Sequence, residues 1–337
     1  MPSWPNAGSP PKHSAGQARR SARFRPGGAG ASVVSLTSHL KDQASPVRHW
    51  FEETFPNRRP IMAACRASSL ISLRPDPPHA EYGLVGMALD YRIRYYFAVT
   101  PPEKFVAAQG AMLLAGQVAS DPSELNPDWE ADRRTWDEFA KGLEVTPMGV
   151  DPVGRRLPEA EESALCRACY VLACYETLFR AGIGPSWPIV SVGRGGSVRE
   201  LLALASNAVV TDLVQLSWAC YQTFGDLLGD KAVLNPTFGR VSQALGGADA
   251  DLIVGDRLLD IKTSVNPSPT PTEPYQLLGY ALADTDDSYG VRRAGFYYSR
   301  RPALVLWSLQ ELCDELAGKP TDIEAARRDF YTLVRRL

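Results

Sequence analysis

Asp251-Leu252-Ile253-Val254-Gly255-Asp256-Arg257-Leu258-Leu259-Asp260-Ile261-Lys262 reads as a tight β-hairpin. Two apolar runs flank Gly255-Asp256, and a two-residue turn that begins with glycine is a strong hairpin signal. With the turn at 255 and 256, Val254 pairs with Arg257, and pairing runs outward until Asp251 faces Asp260. Directly opposed residues carry Cβ atoms about 5 Å apart on one face. Lys262, two residues beyond Asp260, shares that face. Ile253 and Leu258 flank the carboxylates there and make a partly dry site. Leu252, Val254, Leu259 and Ile261 form the opposite face, wholly apolar and suited to a core. Two carboxylates so close repel unless a cation lies between them. The simplest such ion is Mg²⁺ or Mn²⁺, hard cations that prefer oxygen. A divalent ion there polarises a phosphoryl oxygen and lowers the pKa of bound water. Lys262 then orients that water or stabilises the developing charge. The rival reading is a solvated hairpin face with no chemistry.

Thirteen residues past Lys262 begins Tyr275-Gln276-Leu277-Leu278-Gly279-Tyr280. Gln276 and Tyr280 are four apart and share one helical face. An amide and a phenol beside a metal site hold a phosphate or a sugar; the plainer alternative is a solvated Gln and a packed Tyr. The strands 295–299 and 303–307 follow, joined at Arg300-Arg301-Pro302, and helices over 309–317 and 321–336 finish the chain. Upstream, Ala232–Phe238 reads as a first strand.

Helical periodicity governs most of the rest. Helices are expected over 35–55 (restarting at Ser45-Pro46), 81–97, 103–118, 131–143, 159–180 and 212–228, the 159–180 helix being amphipathic. Ser197 and Glu200 form a capping box after Gly193-Arg194-Gly195-Gly196. This glycine run lacks the G-K-[ST] of a phosphate-binding loop, so a loop and cap is the simpler reading. Residues 1–32, basic and rich in Pro, Gly and Ser, read as a disordered tail.

Bulk properties exclude several classes. The 337 residues carry a net charge of −2, so nucleic-acid binding must come from a local patch. No apolar stretch suits a membrane span, and no secretory signal core opens the chain; a cytoplasmic protein without membrane partners is expected. Only His13, His39, His49 and His79 exist, with no HExxH pattern, which argues against histidine-based chemistry. Cys166, Cys169 and Cys174 fall in one helix and read as buried thiols.

Together these residues resemble the PD-(D/E)XK nuclease superfamily, in particular its RecB-like branch. Asp251 before an apolar strand is similar to the second motif, Asp260-Ile261-Lys262 to D/E-x-K, and Gln276 to Tyr280 to Q-x-x-x-Y. The match covers roughly 230–308. The branch often carries G-x-x-x-H on an upstream helix; here Gly86-Met87-Ala88-Leu89-Asp90 fits the frame, with Asp90 where the histidine stands. Glu176, on the 159–180 helix, is the rival third ligand.

The resemblance implies an α/β fold: a restriction-endonuclease-like core with a small mixed sheet over 231–308. A large helical region over 33–230 includes the first-motif helix near 81–97, and helices close the chain over 309–337. It implies Mg²⁺- or Mn²⁺-dependent hydrolysis of DNA phosphodiesters, in repair or in defence against foreign DNA. Asp251, Asp260, the Ile261 carbonyl and Asp90 would hold the metal, Lys262 would assist the water, and Gln276 and Tyr280 would position the strand. Arg292, Arg293, Arg300 and Arg301 lie around the last strands and are candidates to meet phosphates. The competing classes are a catalytically silent nuclease-fold module that binds DNA or a helicase partner, and a metal-dependent RNA nuclease.

Overall fold

The structure is a computed structural model that describes residues 35–68, 71–116, 126–144, 151–184, 187–248, 250–264 and 269–337. The expected basic tail lies outside them. The chain begins with three short helices, α1 (Leu36–Lys41), α2 (Pro46–Thr54) and α3 (Arg59–Ala67). A helical region follows: α4 (Tyr82–Phe97), α5 (Val106–Leu114), α6 (Trp129–Glu144), α7 (Glu159–Ala181), α8 (Pro188–Gly193), α9 (Val198–Ala203) and α10 (Asn207–Phe224). Next come β1 (Ala232–Leu234), α11 (Gly239–Ala244), β2 (Leu252–Val254), β3 (Arg257–Lys262), α12 (Glu273–Ala283), β4 (Arg293–Tyr298) and β5 (Ala303–Ser308). Finally α13 (Leu309–Ala317) and α14 (Ile323–Val334) close the chain. Among the described residues, no helix is long and apolar enough to cross a membrane.

The fold is mixed α/β. One five-stranded sheet runs in the order β1-β2-β3-β4-β5. β1, β2 and β3 are antiparallel neighbours, β3 and β4 are parallel, and β5 returns antiparallel to β4. A parallel pair needs a crossover, and α12 supplies it. The hairpin register is the expected one: Val254 opposite Arg257, Ile253 opposite Leu258 and Leu252 opposite Leu259. Gly255 takes φ 58 at the first turn position, a conformation that costs glycine little.

Both faces of the sheet are covered. Leu252, Val254, Leu259 and Tyr297 join the core of α4, α5, α7 and α10. Ile253, Leu258, Ala294, Phe296 and Tyr298 join a second core with α1, α2, α12, α13 and α14. Ile253 and Leu258, expected to flank the carboxylates in a partly dry site, are fully buried in the second core, under helices.

Three elements depart from their sequence patterns. β1 stops at Leu234 because Asn235 adopts φ 47 and Pro236, which has no N–H to pair, follows. A short helix, α11, follows directly after Phe238, and Ser242 Oγ accepts from Phe238 N at 2.8 Å to close its first turn. α7 is buried on nearly all sides rather than along one stripe, and Cys166, Cys169 and Cys174 are buried with it. Its polar Glu162 is buried in a bidentate pair with Arg92 at 2.6 and 2.9 Å and accepts from Ser217 Oγ at 2.6 Å. Glu162 on α7 thus marks an internal partner, not a wet face. The capping box at Ser197–Glu200 forms as read.

Candidate active site

The hairpin delivers two carboxylates to the rim of the sheet. Ladder pairing ends at Leu252 opposite Leu259, so Asp251 lies one residue outside it. Its Oδ2 accepts the backbone N–H of Ile261 at 2.7 Å, which ties the carboxylate to β3. Burial pushes the Asp251 carboxyl well above the usual range, and Asp260 and Asp90 push it further; the Ile261 N–H and Lys262 oppose them. Asp260 is 3 % exposed, and its Oδ2 sits 2.7 Å from Lys262 Nζ. Burial works against the Lys262 ammonium, but Asp260 and Glu273 more than offset it and hold the lysine charged.

Asp90 arrives from α4. That helix lies against the end of β3: a Cβ built on Gly86 would stand 3.5 Å from Thr263 Cβ, ordinary contact distance. Asp90 is ion-paired with Arg94 one turn along, while its Oδ1 is buried with no hydrogen-bond partner. Burial raises its pKa, Arg94 lowers it, and Glu176 raises it again. Glu176, on α7, accepts from Tyr91 Oη at 2.5 Å and from Arg180 Nε at 2.5 Å. The structure therefore brings Asp90, Asp251, Asp260 and Lys262 into one electrostatic cluster, with Glu176 and Arg94 at its edge.

α12 places Gln276 and Tyr280 beside this cluster. Gln276 Nε2 donates to Tyr280 Oη at 2.9 Å and to Thr37 Oγ1 on α1 at 3.0 Å. Burial, with Asp260 next in weight, pushes the Tyr280 phenol up to about 12. α1 can approach closely because Gly279 has no side chain: a Cβ there would lie 2.9 Å from Leu36 Cδ2. Thr37, Arg94 and Glu273 were not singled out as site residues in the sequence. Arg94 carried a signal, since it stands four residues after Asp90 on a helix. Thr37 is 239 residues from Gln276 and carried none.

Among the described residues, no three His, Cys, Asp or Glu side chains stand close enough to hold a metal ion as they are placed. Each carboxylate has instead a donor of its own: Arg94 on Asp90, Lys262 on Asp260 and the Ile261 N–H on Asp251. The donor set nonetheless fits a hard divalent cation. It offers three carboxylates, two of them, Asp251 and Asp90, destabilised by burial and by neighbouring carboxylates, and an unpartnered buried oxygen on Asp90.

Three of the four arginines near the last strands are held by carboxylates. Arg292 forms a fork with Asp287 at 2.6 and 2.5 Å, and Arg293 pairs with Asp256 at 2.7 Å. Arg300, 1 % exposed, is locked to Asp212 by two 2.6 Å bonds. Buried, with both terminal nitrogens on Asp212, Arg300 does not meet a phosphate; it braces the fold.

No protein-family model, curated protein or solved structure matches this chain.

Proposed function

We propose that this chain is a metal-dependent DNA nuclease of the PD-(D/E)XK type, RecB-like, acting in DNA repair or in defence against foreign DNA. The observation that carries the reading is the arrival of Asp90, from a helix some 160 residues upstream, at the Asp251–Asp260–Lys262 cluster. The mixed sheet, with α12 crossing between its parallel strands, supports the same reading.

Asp251, Asp260, Asp90 and the Ile261 carbonyl would hold Mg²⁺ or Mn²⁺. The bound ion supplies Lewis-acid polarisation of a phosphoryl oxygen and eases the ionisation of water. The chain's own groups do the rest. Lys262, kept protonated by Asp260 and Glu273, donates to the attacking water or to the phosphoryl oxygens as negative charge builds on them. Gln276 and Tyr280, fixed to one another and to Thr37, position the strand. Water attacks phosphorus, one P–O ester bond breaks, and the leaving oxygen takes up a proton.

The test is cleavage of linear, circular and single-stranded DNA, with an RNA arm, in Mg²⁺, Mn²⁺ or EDTA. Asp260→Ala and Lys262→Ala are each expected to lose about 10²-fold or more in rate. Cutting of RNA alone would change the substrate class. The specific observation favouring a second reading, a silent module that binds DNA or a helicase partner, is the Arg94–Asp90 ion pair. DNA binding without cleavage, unchanged in both variants, would establish that reading and overturn the nuclease.

A further inference from the structure

Arg94 has no place in the reading above, yet its guanidinium is the cation closest to the carboxylate that α4 contributes. It is 7 % exposed. It is ion-paired to Asp90, lies 4.9 Å from the centroid of the Tyr91 ring, and its Nε has no hydrogen-bond partner. Asp90, Glu176 and Asp251 all act on its charge. A buried arginine normally saturates its five donors on carboxylates or carbonyls. In this molecule Glu162 holds Arg92 and Asp212 holds Arg300 by two bonds each, with one nitrogen of each arginine left over. Arg94 has only one carboxylate contact, through a single nitrogen. It holds one carboxylate oxygen and leaves the other, Asp90 Oδ1, without a partner.

We propose that Arg94 is a resident counter-cation that a divalent metal must displace from Asp90, and that the released guanidinium then receives a phosphodiester oxygen of the nucleic acid. The inference rests on the metal-dependent reading. Its physical basis is competition: a guanidinium and a divalent cation cannot both neutralise Asp90 at contact distance without repelling one another. Arginine suits the second role because its planar fork matches a phosphate and stays charged at any working pH. Metal and strand then bind cooperatively, since the ion frees the donor that the strand uses. Arg94 acts on the metal site as a positioning residue that opposes metal binding in the absence of substrate. A purely structural arginine would have the opposite effect, because removing it would loosen the site and weaken the metal.

The experiment measures Mn²⁺ binding to the full chain by titration calorimetry without nucleic acid, for the native protein, Arg94→Met and Arg94→Lys. Arg94→Met is expected to bind Mn²⁺ about tenfold tighter, and Arg94→Lys, which keeps the charge, within about threefold of native. A short phosphorothioate oligonucleotide, added with Mn²⁺, is expected to bind Arg94→Met about tenfold more weakly than native. Native binding of Mn²⁺ with equal or weaker binding by a folded Arg94→Met overturns this inference and leaves the nuclease reading standing. If neither protein binds Mn²⁺, both fall. Should Arg94→Met fail to fold, Arg94→Gln replaces it, with the same tightening expected and the same outcome overturning the proposal.

Discussion

Asp251 concentrates the electrostatic tension of the molecule in one side chain. Its carboxyl is raised by burial and by two neighbouring carboxylates, and Asp90 is raised as well. A carboxyl with a folded pKa above its unfolded one contributes stability below the unfolded value, near 4, and loses it as pH rises through the folded value. The metal-free protein is therefore expected to lose stability from about pH 4 upward on account of these two groups. Asp251→Asn cannot ionise and escapes that loss. Melting temperatures in EDTA should place Asp251→Asn above the native protein by a margin that grows with pH; a margin that shrinks would refute the argument. Adding Mn²⁺ should raise the native melting temperature and leave the variant nearly unmoved, because an ion bound only by the folded state stabilises by mass action.

Among the elements, close helix approach carries the site. α5 meets α7 so tightly that a Cβ on Gly110 would lie 1.8 Å from the Tyr175 carbonyl oxygen. Gly110→Ala must push α7 away beside Glu176, and is expected to cost about 3 kcal/mol or more. Gly83→Ala, on the exposed first turn of α4 with nothing within 4 Å, is the matched control. It should stabilise by about 0.5 kcal/mol through helix propensity. Urea unfolding of the two variants checks both signs.

The elements also show what the sequence can disclose. The β2–β3 hairpin was legible because a glycine turn and period-two alternation fix its register within twelve residues. α4 and α12 were legible as helices through their spacing. Asn235-Pro236 announced the early end of β1 in retrospect, since both residues oppose strand continuation. The burial of α7 was not legible: Glu162 and Glu176 look like solvent-facing residues until Arg92 and Tyr91 are found opposite them. Thr37 on Gln276 belongs to the same class, a contact made by tertiary packing of distant segments. The second core over Ile253 and Leu258 was equally hidden, because alternation cannot tell a wet face from one that a remote helix covers.

At the scale of the whole molecule, one buried ionic bridge ties the helical region to the sheet. Asp212 on α10 accepts both terminal nitrogens of Arg300, at the β4–β5 turn, and pairs with His79 Nε2 at 2.9 Å. The backbone joins in, with Leu73 N donating to Arg300 O at 2.7 Å. Removing one partner of such a pair strands a charge in a dry interior. Asp212→Asn and Arg300→Met are each expected to destabilise by about 3–5 kcal/mol. The double variant should cost less than the sum, since each single change removes the other's partner. Equal, additive losses in urea denaturation would show the bridge to be incidental.

The second core has a consequence for how the protein is made. It joins Leu36 and Phe51, near the start of the described chain, to Leu278 on α12 and Phe330 on α14. A ribosome emits those partners almost 300 residues apart. Until α14 emerges, α12 lacks part of its cover, and Gln276 and Tyr280 hang on an incompletely packed helix. A polypeptide that lacks α14 is thereby denied its full set of site contacts.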